Sequence, residues 1–259
     1  MTPCIIAAVD SVSLPIHLSK QFAPQLRRAD EYIKLGVAAA EKVFTGVAAD
    51  QENNRAGLFV GTAFGPMQTN FDVLGLIADE DQTSPTLFSH SVFNSAAGYI
   101  ARLFGIAGSC FSFTDFGWPF FHALAEGHRA ITTGRLDRCL VLQVETYSDL
   151  LIDARQRTGT ETEPWLPGAV AWHLAAGDRG TGLNLKNIKI KSIAAPPPAY
   201  LHRREELHRD RGNLACSTPL AAAAAITSLV REPAQNREWT CRLSAPYGSV
   251  ILTFQQANA

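Results

Sequence analysis

Two rhythms of apolar residues run through the first 145 positions. Residues 4–9 (CIIAAV) form an apolar, partly β-branched run suited to a buried strand. Residues 30–43 (DEYIKLGVAAAEKV) repeat their apolar positions at helical spacing instead, with Asp30 placed to cap the first turn. Residues 57–63 (GLFVGTA) are apolar almost throughout, as expected of a strand covered on both faces. Residues 66–77 predict a helix opening on Pro66, where a missing N–H costs nothing. A long small-residue helix over 89–104, a short strand over 112–116, a helix over 119–133 and a strand over 139–145 complete this part.

Strands alternating with helices predict a layered α/β fold. Beyond residue 145 the pattern weakens: 169–174 and 185–193 read as strands, and three prolines at 196–198 break the chain. The charged stretch 201–211 is expected to be exposed. An Ala-rich helix follows over 219–230, then a final apolar strand over 247–254. The transition from a full front half (1–160) to an abbreviated second half (161–259) is expected near 155–167, within one continuous domain.

Composition narrows the field. The chain has 259 residues, 46% hydrophobic and 18% charged, with a mean hydropathy of 0.00, which excludes disorder, collagen and coiled coil. Twenty-three Lys and Arg nearly balance 24 Asp and Glu, so no nucleic-acid or acidic-membrane partner is expected. No apolar run predicts a membrane span, and the first ten residues lack the cationic start and apolar stretch of a signal peptide. Five scattered Cys without a CxxC pair point to a reducing compartment, and the expected location is the cytoplasm.

Generic site motifs are missing. The glycines at 61, 65 and 108 lack the spacing of a phosphate cradle, and no GxSxG elbow occurs. His122 and His128 are six apart and do not share a helix face, so no metal site is expected. Asp149 and Asp153 read as a solvated pair. The most specific stretch is 84–145, SPTLFSHSVFNSAAGYIARLFGIAG followed by SCFSFTDFGWPFFHALAEGHRAITTGRLDRCLVLQVE. Its order of features resembles the front half of a β-ketoacyl synthase of the thiolase superfamily. Such proteins carry a helix ending in a small-small-Gly step, like Ala96-Ala97-Gly98, then a basic residue, a Gly turn and a short strand. A sharp strand-to-helix elbow, a helix, a turn and a strand follow, like the run from Gly134 to Val141. Gly57 to Thr62 fits another strand of that family. The resemblance covers residues 1–175 closely and the remainder loosely.

In active members the elbow carries a Cys at the helix N-terminus, where free N–H groups and the helix dipole favour a thiolate. Matching the pattern from Gly108 puts that position on Gly117, which has no thiol. Cys110, seven positions earlier, is expected to be a small buried core residue. The two His and the Lys that complete a ketosynthase site have no counterpart. Lys186, Lys189 and Lys191 follow a polar alternation typical of a solvated face, and His202 and His208 lie in the charged stretch. Ala215-Cys216-Ser217-Thr218 precedes the Ala-rich helix where the family has a Gly-His. An aromatic cluster crowds the elbow instead: Phe88, Phe93, Phe111, Phe113, Phe116, Trp118, Phe120 and Phe121. These rings are core by default; at an elbow without a nucleophile they could also fill or line a cavity.

Within the superfamily the chain looks like a shortened chain-length factor of a type II polyketide synthase, the Cys-less partner of an active ketosynthase. The resemblance implies a thiolase-like layered fold and a non-catalytic subunit that forms a heterodimer with a full-length ketosynthase. The product would be aromatic (anthraquinone-type) or an aryl polyene. No cofactor would bind directly; the phosphopantetheine arm of an acyl carrier protein would reach the partner subunit. Phe88, Ser89, Val92, Phe93 and Ala96 would lie nearest the tunnel that sets chain length, with Ser89, Phe93 and Ala96 on one helix face. Phe113, Phe116, Trp118 and Phe121 would complete the tunnel and interface. Two other readings stay open. One is a divergent acyltransferase or hydrolase with Ser112, Thr114 or Cys110 as nucleophile and His90 or His122 as base. The other is a self-associating structural subunit.

Overall fold

The computed structural model describes residues 2–44, 55–79, 84–158, 165–177, 183–192, 205–209, 212–216, 218–232, 238–245 and 248–256. The first apolar run extends into strand β1 (Cys4–Ser13). Asp30 caps α1 (Glu31–Val43), its carboxylate accepting the Ile33 N–H at 2.9 Å. β2 (Ala56–Thr62) is buried along its whole length, and α2 (Met67–Ala78) follows. The helix expected over 89–104 is in fact two, α3 (Pro85–His90) and α4 (Ser95–Phe104), joined by a turn at 91–94. Tertiary structure anchors this turn: the Tyr32 hydroxyl donates to the Phe93 carbonyl at 3.0 Å, and the Phe93 ring lies against Gly65.

β3 (Cys110–Thr114), α5 (Pro119–Thr132) and β4 (Arg138–Glu145) fall close to their predicted places. α6 (Asp149–Thr158) carries Asp149 and Asp153, and β5 (Gly168–Ala176) and β6 (Leu183–Ser192) follow. The charged stretch 201–211 contains β7 (Glu205–Arg209), which pairs with β8 (Gly212–Cys216) just beyond it. α7 (Pro219–Arg231) leads to β9 (Glu238–Ala245), which the hydrophobic pattern did not predict, and β10 (Gly248–Gln256). The prolines 196–198 and residues 159–164 of the expected transition lie outside the described residues.

The ten strands among the described residues belong to one sheet, in the order β3-β2-β4-β5-β1-β6-β10-β9-β7-β8. β2 runs parallel to β3 and β4, and the other neighbours are antiparallel. β1 joins the halves, pairing with β5 along its length and with β6 at Ile5 and Ile6. On one face, α1 and α4 bury apolar side chains against β2, β4 and β5. On the other, α5 and α7 share a core with both halves of the sheet, including Trp172, Leu243, Leu252 and Phe254. The buried Trp172 Nε1–H donates to Thr227 Oγ1 at 2.8 Å, fastening α7 to β5 in the middle of the sheet.

This order of strands and helices brings the C-terminal ends of β2, β3 and β4 together, the usual place for chemistry in parallel sheets. The start of α5 crosses β2 there at very short range. A Cβ on Gly61 would lie 2.3 Å from the Pro119 carbonyl oxygen and 2.9 Å from the Phe120 nitrogen, both backbone atoms. Gly61→Ala is therefore expected to lower unfolding stability by about 1–3 kcal/mol. Gly75→Ala, where a Cβ meets no atom within 4 Å on a helix, should be neutral or stabilising. Urea denaturation of both variants checks the crossing; equal stabilities would show that it is looser than described.

Candidate functional site

Strand β3 ends at Thr114 and α5 begins at Pro119, so residues 115–118 make the strand-to-helix elbow. Asp115 folds back on it. One carboxylate oxygen accepts the Trp118 N–H at 2.6 Å, and the carboxylate also takes the Gly117 N–H. His122, one turn into α5, brings Nε2 to 3.5 Å from the same oxygen. The imidazole chiefly, then the two amides, hold the Asp115 carboxyl below its ordinary pKa against the opposing effect of burial. The positive end of α5 thus already carries an anion supplied by the chain itself.

Beside the elbow a second carboxylate ties β4 to β2. Glu145 is 1% exposed and accepts four hydrogen bonds: Ala63 N–H at 2.6 Å, Gln143 Nε2 at 2.8 Å, Phe64 N–H at 3.0 Å and Thr62 Oγ1 at 3.1 Å. Burial outweighs these donors and pushes its pKa up to about 7. The same turn projects Phe64 into a cluster with Phe116, Tyr147 and Trp165, ring centroids 5.4–5.7 Å away. Tyr147 and Trp165 sit 5.3 Å apart. Aromatic rings therefore cap the strand ends next to Gly117.

An open groove of about 430 Å³ runs along α3 and α4, lined by Ser89, Val92, Ser95, Gly98, Tyr99 and Arg102 among others. Arg102 stacks over the Tyr99 ring at 5.3 Å, and the Tyr99 hydroxyl meets His90 Nε2 at 3.0 Å. α3 and α4 and the elements packed against them leave large apolar side chains in water: Phe71, Leu74 and Ile77 on α2, Phe88, Val92 and Phe93 on α3 and the turn after it, and Phe111 on β3. Among the described residues β3 is an edge strand, with β2 as its neighbour. An edge strand beside exposed apolar residues has the character of an interface, since folded monomers seldom leave both in solvent.

A family model for the β-ketoacyl synthase N-terminal domain matches residues 18–240. The chain belongs to that family. Solved structures give the fold of this ketosynthase-family chain the same context. The ishigamide ketosynthase/chain length factor superposes with a TM-score of 0.70 at 12% identity, covering 99% of this chain and 100% of that one. The ketosynthase ApeO in complex with its chain length factor ApeC, from Xenorhabdus doucetiae, gives 0.60 at 17%, covering 99% and 100%. The type II polyketide synthase complex AntDE:AntF, with its acyl carrier protein and a bound hexaketide, gives 0.70 at 13%, covering 98% and 99%. No curated protein matches the sequence.

The ketosynthase-family chain scatters the residues singled out from its sequence. Ser89 and Val92 line the groove, Phe88 and Phe93 are exposed beside them in sequence with the Phe93 ring against Gly65, and Phe116 is 66% exposed at the elbow. Ala96, Trp118 and Phe121 are buried in the core, Ala96 against α1, and Phe113 is half-buried. Ser89, Phe93 and Ala96 share no helix face, because the turn at 91–94 interrupts the helix. Cys110, expected to be buried, is exposed at the sheet edge; neighbouring protein still raises its thiol pKa by desolvation. Among the described residues no Ser, Thr or Cys bonds to His90 or His122, which engage Tyr99 and Asp115. No His, Cys, Asp and Glu cluster there suits a metal, and no described helix is long and apolar enough to cross a membrane. Sequence reasoning missed Asp115 and Glu145. An Asp three residues before Trp118-Pro119 is a readable capping signal, whereas three of the four Glu145 contacts, those from 62–64, are long-range.

Proposed function

We propose that this chain is the non-catalytic chain-length factor of a type II polyketide synthase. It pairs with a full-length ketosynthase through the β3 edge and the apolar face of α2 to α4, and the groove beside Ser89 and Val92 becomes part of the shared tunnel. One observation carries the reading: the elbow offers glycine where active family members place a thiol, and Asp115 occupies its amides. The fold likeness to the ketosynthase and chain length factor structures supports the pairing. The partner supplies the nucleophile and both histidines. A carrier protein brings the growing malonyl-derived chain on its phosphopantetheine arm, and the product is an aromatic (anthraquinone-type) or aryl-polyene polyketide. The setting is cytoplasmic.

Incubation of the purified chain with acyl and malonyl carrier proteins tests the non-catalytic role; intact-mass detection of acyl loading on any residue overturns it. Co-expression with the ketosynthase should raise soluble yield sharply, because an apolar interface resembles a core cut in half. A monodisperse monomer purified without a partner would contradict the pairing. Within the complex, Phe93→Ala enlarges the space beside the groove and should lengthen the product, while Ser89→Phe should shorten it. Product mass spectrometry reads this directly; changed yield at constant length removes these residues from the tunnel.

A further inference from the structure

The second half of the sheet has one face on the core and one in water. Leu185, Cys241, Leu243, Val250, Leu252 and Phe254 point inward against α5 and α7. The register of β6, β10 and β9 sets Lys189, Ile251 and Arg242 in one row on the opposite face. Lys191 lies one row along and Lys186 sits at the bulge of β6; all four cations are exposed. Small hydrogen-bonding side chains, Thr240, Thr253, Ser244 and Ser249, fill the positions around them. Glu238, at one end, is the one carboxylate that β6, β9 and β10 contribute. β7 adds Glu206 and His208 at the register positions opposite Ser244 and Arg242. None of the four cations is paired with a carboxylate among the described residues.

The charge is also unevenly divided along the chain. Residues 183–259 hold ten Lys and Arg against five Asp and Glu, whereas residues 1–182 hold thirteen against nineteen. The near-neutral total therefore conceals a basic back and an acidic front.

From this face we infer a second docking surface, separate from the ketosynthase-facing side, that takes the carboxylate-rich surface of a partner protein. Strands lie about 4.8 Å apart, so Lys189 and Arg242, two strands apart, stand about 10 Å from each other. That span suits carboxylates on successive turns of one acidic helix, with Ile251 as the apolar contact between them. An extended nucleic acid fits less well, because its charge would run on past the sheet and meet the acidic front half. The inference does not depend on the chain-length reading: the face would dock an acidic partner whatever the elbow does.

The test uses the full chain and a fluorescein-labelled decaglutamate peptide, read by fluorescence anisotropy at about 150 mM salt. Binding should saturate and weaken as salt rises. The double variant Lys189→Glu/Arg242→Glu should weaken it at least about tenfold, and Lys189→Gln/Arg242→Gln by a smaller factor, with melting temperatures near wild type. Arg27→Glu/Arg28→Glu, on an exposed surface elsewhere, should leave it within about twofold. Absent binding, or binding indifferent to Lys189 and Arg242, overturns the proposal. Equal affinity for a ten-residue oligothymidylate would mark a general polyanion surface and overturn it too, as would self-association abolished by the same double variant.

Discussion

Gly117→Cys alone is expected to leave the chain unable to accept an acyl group, although it restores the missing thiol. A thiol at a helix N-terminus becomes nucleophilic because free amides and the dipole stabilise its thiolate. Here Asp115 already takes the Gly117 and Trp118 N–H groups. Its negative charge would also lie close to the new sulfur. Two like charges about 4 Å apart repel by about 1 kcal/mol in water and about 4 kcal/mol near a protein surface. That raises the thiol pKa by roughly one to three units. The second substitution Asp115→Ala removes both obstacles at a capping cost of about 1 kcal/mol. Iodoacetamide alkylation at neutral pH should therefore run about tenfold or more faster in Gly117→Cys/Asp115→Ala than in Gly117→Cys. Equal rates, or acyl transfer to Gly117→Cys with Asp115 intact, would remove Asp115 from this role.

The second large effect belongs to Glu145. Its folded pKa is about 7, against 4.5 for an unperturbed glutamate. Between these values the folded carboxyl keeps a proton that the unfolded one releases, so the contribution is fully present below pH 4.5. It is lost as pH rises through 7. The difference is about 3 kcal/mol across that window. Asp115, with its lowered pKa, works in the opposite sense at more acidic pH, gaining stability as pH rises. Glu145→Gln isolates the Glu145 component, since the amide oxygen can still accept the Ala63 or Phe64 N–H. Urea denaturation at pH 5 and pH 8 should show the variant overtaking wild type at the higher pH. A wild-type-minus-variant difference that stays constant across the range would refute the assignment.

The front half of the fold was legible because its burial follows local rhythm. Residues 57–63 are apolar because β2 is covered on both faces, and Asp30 reads as a cap because it is one. The back half was harder. β9 carries the alternation Trp239-Thr240-Cys241-Arg242-Leu243, a usable strand signal, while the paired strands β7 and β8 are short, β7 rich in charge and β8 opening on Gly212. The split between α3 and α4 involves Tyr32 and Gly65, distant in sequence. For the site, the place of the elbow and its lack of a thiol could be read by matching the resembled family's pattern from Gly108 to Gly117. Asp115 could have been read from its distance to Trp118, whereas Glu145 depends on three donors from 62–64 that only the folded chain brings to it, beside its near neighbour Gln143.

The position of β1 also shapes how the protein is made. β1 is synthesised before its neighbours, yet its first partner in the sheet, β5, begins only at Gly168, and its second, β6, at Leu183. Until the ribosome has passed those points, an apolar strand with two open edges has nothing to pair with. Such long-range pairing is slow and leaves strand edges exposed to other chains. The nascent chain is therefore expected to carry β1 unpaired until β5 has emerged. A ribosome that stalls before Gly168 releases a product prone to aggregation, and one that stalls between β5 and β6 releases a front half whose sheet ends in an uncovered β1.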